Sequence, residues 1–352
     1  MKILLRLLLK NQHQRNRSEP AKTEKGMTLV ELLVGSIMAF LIITPMLGFV
    51  VDMLNTDRRE QVKSNTEQDL QAAVDFIAQD LSQAIYIYDQ AGITAVNNSP
   101  TKLPPPPQNT TGTPILVFWK RQQIKKSVPI NSTVSAKKPS NCDSKPEQCN
   151  DTYVLSLVVY YQIKDTTSNT TWCQPSGGTC PTRIARYEIR DGVKNPASIV
   201  TDPNFPYYSL TESKESAPNL AFNKSFDINK PRENVTTGAD FPTSPEVLVN
   251  YIDHSPGPTA IDPEECRKAL GNPTDTTKVP PTPILEATLR TPPADTVNSF
   301  YACVDTSKNL ARVTIRGNSL RRLQTDANYA ESKSAFFPTA SVQVQGLGAR
   351  GK

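Results

Sequence analysis

The sequence predicts an α+β chain: one long N-terminal helix, half membrane-competent and half amphipathic, packed on a predominantly antiparallel β head with long loops. Three observations predict it. An apolar, uncharged run fills Leu32 to Val51, a helical period continues past it to Tyr88, and from Pro114 onward the apolar period drops to two.

The chain has 352 residues with 39 basic and 34 acidic side chains; seven and two of these lie in residues 1–26, so the remainder carries 32 of each. The basic excess therefore belongs to the leader. It sets topology rather than marking a nucleic-acid surface, because basic flanks hold their side in the cytoplasm and send the residues after Leu54 across the membrane. Within residues 1–26, the stretch Met1 to Leu9 is apolar but broken by Arg6 and lacks a small-residue cleavage site, so it reads as an amphipathic tether rather than a secretory signal.

The segment 27–52 is the membrane and assembly helix. The twenty residues from Leu32 to Val51 hold only Ser36, Thr44, two glycines and one proline as interruptions. At a rise of ~1.5 Å per residue they cover roughly 30 Å, the thickness of a bilayer hydrocarbon core. Pro45 removes one helical hydrogen bond near the middle and is expected to bend the helix or open a turn. Glu31 stands in the first turn. A carboxylate there needs a partner, and Thr28-Leu29-Val30-Glu31 fits a capping box, in which Glu31 folds back to the Thr28 N–H.

Residues 53–90 read as an amphipathic stalk. Val62, Thr66, Leu70, Val74, Ile77, Leu81, Ile85 and Tyr88 recur in steps of three or four with charged residues between them, and no proline falls between Pro45 and Pro100. One helix from Thr28 to Tyr88, on the order of 90 Å long, is the expectation. Residues 91–113 are a proline-rich connector with Pro104 to Pro107 at its centre.

The head is placed at 114–323 and a C-terminal tail at 324–352. Strands are expected at Pro114 to Trp119, at Tyr153 to Ile163 and at Thr182 to Asp191, the last half exposed, with Arg186, Glu188 and Arg190 on its wet parity. Residues 192–246 give no clear element. Val247 to Asp253 reads as a strand, and Asp262 to Gly271 as a short helix with Asp262 at the N-cap, Pro263 at the first position and Gly271 at the stop. Ser299 to Val304 and Leu310 to Arg316 form a hairpin.

The order of parts around Gly26, a basic leader, glycine, Met27, a few apolar residues, Glu31 and a spanning helix, resembles the type III signal of type IV prepilins and pseudopilins. That resemblance implies cleavage after Gly26 by a prepilin peptidase, N-methylation of Met27, pairing of Glu31 with the terminal amine of a neighbouring subunit, and a pilin-like fold. Met27 stands where phenylalanine is commoner, and the leader is long. Gln68-Asp69-Leu70 through Ala84 looks like the stalk of J-type minor pseudopilins of type II secretion and of W-type minor pilins. Phe300 to Asp305 with Ala311 to Asn318 is similar to the hormogonium polysaccharide secretion pseudopilins of filamentous cyanobacteria. Together these imply a minor pseudopilin, a structural subunit at or near a fibre tip that supports polysaccharide secretion and gliding. Its partners would be the peptidase, other pilins through the N-terminal helix and an inner-membrane assembly platform, with polysaccharide as a further candidate and no nucleic acid. The implied location is the inner membrane, N-terminus in the cytoplasm and head in the periplasm, then a cell-surface fibre. The alternative reading is a minor pilin whose head is a tip adhesin or glycan-binding module.

Six cysteines fall as Cys142 and Cys149, Cys173 and Cys180, Cys266 and Cys303. An even count in an exported domain reads as disulfides, and local pairing is the expectation among fifteen connectivities. Zinc is the competing reading, disfavoured because each of the first two pairs encloses six residues and no histidine lies near a pair. No cofactor, metal or catalytic role is expected. Only His13 and His254 are present, so any mature Ser-His-Asp set would have to use His254, and neither a phosphate-binding glycine loop nor HExxH occurs.

Overall fold

A computed structural model of the chain describes residues 28–98, 103–130, 146–190, 193–194, 207–208, 215–216, 244–255, 262–293, 299–325 and 327–348. The chain divides into two units, Met1–Asp57 and Arg58–Lys352. The first helix, α1, runs Leu29–Ser82 and contributes to both.

In the first unit α1 is exposed on every face from Leu29 to Leu54. Its few hydroxyls turn inward: Ser36 Oγ donates to Leu33 O at 2.8 Å, and Thr44 Oγ1 to Phe40 O at 2.8 Å. Self-satisfied polar groups suit a helix in an apolar surround. The helix continues through Pro45.

In the second unit α1 buries Thr66, Leu70, Ala73, Val74, Ile77, Asp80 and Leu81, a stripe with the expected spacing. The helix is shorter than its periodicity predicts. It ends at Ser82, and β1 (Ala84–Ile87) comes at once after it. The reason is that Ala84-Ile85-Tyr86-Ile87 is apolar at every position, which suits a buried strand as well as a helix end. The extended form gains a sheet partner, with Tyr86 opposite Trp119 and Ile87 opposite Phe118. Next comes α2 (Gln90–Asn97), capped by Asp89, whose side chain accepts from Gly92 N at 2.7 Å. The connector thus holds a helix that its proline content conceals.

Strands β2 (Thr110–Pro129), β3 (Cys149–Asp165) and β4 (Thr182–Arg190) are longer than or close to expectation. Short strands β5 (Val193–Lys194), β6 (Tyr207–Tyr208) and β7 (Glu215–Ser216) form a small sheet of their own, and the rest of the 195–243 region lies outside the described residues. β8 (Glu246–Ile252) completes a five-stranded antiparallel sheet ordered β1-β2-β3-β4-β8. Next are α3 (Glu265–Ala269), the paired β9 (Thr274–Asp275) and β10 (Thr282–Pro283), and α4 (Glu286–Leu289). β11 (Arg290–Thr291), β12 (Phe300–Asp305), β13 (Leu310–Arg316) and β14 (Thr339–Gln345) make a four-stranded antiparallel sheet.

Both sheets meet the buried stripe of α1. One core joins Leu70, Val74, Ile77 and Leu81 to Ile115, Phe118, Val158, Tyr160 and Ile184 of the larger sheet and to Phe300, Ala302, Val304, Val313 and Ile315 of the smaller. The opposite face of the larger sheet is covered by α2 and the proline segment, which bury Trp119, Val159, Tyr161 and Tyr187. The prolines accept specific bonds there: Tyr161 Oη donates to Pro104 O at 2.8 Å and Tyr187 Oη to Pro105 O at 3.1 Å.

Three further expectations are corrected. β4 is buried on both parities, because its arginines enter ion pairs. The segment read as a tail supplies β14, which pairs along its whole length with β13. The cap of α3 is Glu286, a side chain twenty residues away, which accepts from Cys266 N at 2.7 Å and Arg267 N at 2.9 Å; Asp262 instead bonds Glu264 N. Gly271, at φ +76°, stands at the predicted stop.

Candidate functional site

The start of α1 carries the first candidate. Thr28 caps it, its Oγ1 accepting from Glu31 N at 3.3 Å and its carbonyl from Leu32 N at 3.1 Å. That is half of a capping box. The return bond is absent, and among the described residues the Glu31 carboxylate has no partner. Gly26 and Met27 lie outside the described residues. Around Glu31 the surface is apolar: Leu29, Val30, Leu32, Leu33 and Val34 are all exposed, as is the whole run to Leu54. The helix is long and apolar enough to cross a membrane. A carboxylate at the end of such a surface is costly to bury unless a cation meets it.

The second candidate is one that local sequence patterns do not announce. Asp80, near the C-terminal end of α1, is buried and accepts from three side chains: Lys120 Nζ at 2.9 Å, Tyr160 Oη at 2.7 Å and Arg186 Nε at 2.6 Å. Glu188 extends the cluster, pairing with Lys120 at 3.4 Å, Arg186 at 2.6 Å and Arg190 at 3.2 Å. The charges come from α1, β2 and β4, with Tyr160 from β3, so the network ties the helix to three strands of the larger sheet. Burial works against the Glu188 charge, but the Arg186 hydrogen bond and the charges of Lys120, Arg186 and Arg190 outweigh it and push the carboxyl down to about 2. Burial likewise opposes the charge of Arg186, yet Asp80 and Glu188 hold its pKa above the ordinary range. Desolvation, then Asp80, raise the Tyr160 phenol well above its usual value. The signal in the sequence was Lys120, the first of two adjacent cations after the apolar run Ile115 to Trp119, and the arginines recurring along β4 at Arg183, Arg186 and Arg190.

Neither a protein-family model, nor a curated protein, nor a solved structure matches this chain.

Two of the expected cysteine pairs stand at bonding distance. Cys173 and Cys180 are 2.12 Å apart at sulfur and close the loop between β3 and β4; Cys266 and Cys303, 2.00 Å apart, tie α3 to β12. Cys149 is disulfide-bonded, and Cys142 lies outside the described residues. The first loop wraps Arg321, a fully buried guanidinium whose nitrogens donate to the carbonyls of Thr179 at 3.0 Å, Pro175 at 3.0 Å and Gly177 at 3.2 Å.

His254 is half-buried and sits between Asp253 and Ser255, but the trio is not arranged as a relay. Ser255 Oγ donates directly to Asp253 Oδ1 at 2.6 Å, Arg316 holds the other carboxylate oxygen at 2.9 Å, and His254 Nε2 pairs with Asn328 at 3.1 Å. Burial lowers the imidazole pKa more than Asp253 raises it.

Proposed function

We propose that this chain is a minor pseudopilin of a type IV pilus-like or type II secretion-like machine, a structural subunit rather than a catalyst, placed at or near the fibre tip and supporting polysaccharide secretion and gliding. The observation that carries it is Glu31: a carboxylate without a partner among the described residues, at the head of the exposed apolar half of α1. On this reading prepilin peptidase cuts after Gly26, and the new amine of Met27 is the cation that a neighbour's Glu31 receives. The first half of α1 stands in the inner membrane before assembly and among other pilin-like helices afterwards. The head, Arg58 onward, faces the periplasm and then the cell surface.

The geometry supports the division of labour. A charge pair formed between subunits inside an apolar bundle is costly to leave half-made, so it enforces register as well as attraction. The Asp80 network and the two-sheet core fasten the second half of α1 to the head. N-terminal sequencing of the native protein tests the processing step: a mature chain starting at Met27 is expected. A native chain retaining residues 1–26 would exclude the reading.

A further inference from the structure

β1 pairs with β2 only as far as Lys120, and β4 pairs with β3 only from Ser156. Beyond those points, among the described residues, the two long strands continue as a hydrogen-bonded pair, Arg121 to Pro129 against Cys149 to Leu155. At ~3.3 Å per residue it is roughly 25 Å long. Its register breaks between Ile124, opposite Thr152, and Val128, opposite Asn150. Within this bulge Lys126 takes φ +49°, a left-handed conformation unfavourable for a side chain of its kind. Asp151 holds it there: one carboxylate oxygen accepts from Lys126 N at 2.8 Å and the other from Gln123 Nε2 at 3.0 Å.

The bulge has a consequence for the surface. A regular strand points neighbours to opposite faces, yet Lys125 and Lys126 are both exposed. Arg121 is exposed as well, its guanidinium 3.9 Å from the ring centroid of Tyr153, itself 53% exposed. None of the three cations has a carboxylate partner among the described residues.

We propose that this ribbon binds a linear acidic polysaccharide, with Arg121, Lys125 and Lys126 pairing its carboxylates or sulfates and the Arg121–Tyr153 pair offering a flat, partly apolar surface to a sugar ring. Three cations spread along a one-dimensional track suit one charge per sugar, not the dense charge of duplex DNA at one per ~1.7 Å. The guanidinium on the phenol ring fixes a planar platform with charge at its edge. Lysines on an exposed strand also guard against edge-to-edge aggregation, but that duty needs no strained backbone. The assignment deepens the secretion reading by naming a ligand class, and its test does not depend on assembly.

The test uses the full chain in detergent micelles, with alginate, a polyuronate, as the probe and dextran as the neutral control, titrated at several salt concentrations. Alginate is expected to bind and dextran not. Arg121→Gln/Lys125→Gln/Lys126→Gln should lose tenfold or more in affinity and lower the log–log salt slope by about two to three. Tyr153→Ala should weaken binding several-fold with the slope unchanged. Asp151→Ala should also weaken it, although it removes a negative charge, because the bulge relaxes. Lys333→Gln, a cation elsewhere on the head, and Glu31→Gln, which bears on assembly, should bind as wild type. Thermal melting at the wild-type temperature shows that the triple variant is folded; if it melts early, Lys125→Gln alone must give about one third of the slope change. Wild-type affinity in the folded triple variant, tighter binding by Asp151→Ala, or stronger binding of single-stranded DNA or anionic phospholipid vesicles than of alginate would overturn the assignment.

Discussion

The two halves of α1 share a backbone and differ in every surround. From Leu29 to Leu54 the helix exposes all its apolar side chains and, at Glu31, a carboxylate without a partner among the described residues. From Thr66 to Leu81 it buries a stripe of apolar side chains and one carboxylate with three donors. The lesson is that an acid in an apolar helix is not one kind of feature. Asp80 finds its cations inside its own chain; Glu31 finds none among the described residues, and under the proposed function its cation comes from another subunit.

The largest expected effect lies at Asp80. Asp80→Ala leaves Lys120 and Arg186 buried around a missing charge, and the head should lose about 3–5 kcal/mol in denaturant unfolding. A loss below about 1 kcal/mol would show the network to be incidental. Next is a matched pair of truncations: Ile77→Ala, in the core, should cost about 2–5 kcal/mol, while Ile42→Ala, on the exposed half, should leave unfolding of the head in detergent unchanged. Equal costs at the two sites would erase the contrast.

A third effect depends on pH. Glu188 titrates near 2 in the folded chain against an ordinary value of 4.5, so it binds its proton less readily when folded. Its contribution is complete above pH ~4.5 and is lost as pH falls toward 2, up to about 3 kcal/mol in all. Comparing unfolding free energies of the wild type and Glu188→Gln across pH ~2 to ~6 checks this. The wild-type curve should fall more steeply with acid, and parallel curves would contradict it. Glu31→Gln, like Ile42→Ala, should move folding very little. Stability should move by no more than about 0.5 kcal/mol, since the residue is exposed. Under the proposed function, incorporation into fibres and export of polysaccharide should nonetheless fail. Wild-type incorporation in that variant would reduce Glu31 to a local helix-start residue.

Much of this was legible in the residues themselves. The apolar run, its length and the acid within it needed only composition and rise per residue, and the nearly continuous β-branched and aromatic run of β3 and the alternation in β13 declared strands on local chemistry alone. The cysteine spacing likewise led to the Cys173–Cys180 and Cys266–Cys303 pairs. Where two local patterns coincided, local chemistry did not choose. Ala84 to Ile87, apolar at every position, suited a helix end and a short buried strand alike, and the decision fell to β2, which offered hydrogen-bond partners to the extended form.

The sequence by itself determined the order of the parts, the membrane-competent helix and the composition of the core. Tertiary structure decided the role of charge. Arg186 and Glu188 lie on the parity of β4 that composition assigns to water, and they are buried because α1 brings Asp80 over that face and β2 brings Lys120 beside it. Glu286 caps a helix twenty residues away, and Thr339 to Gln345 is a strand only because β13 has an open edge. The physical reason is one of range. Apolar periodicity acts on neighbours in the chain, whereas a buried charge is tolerated only where its counterion arrives from elsewhere in the fold, and no local window contains both.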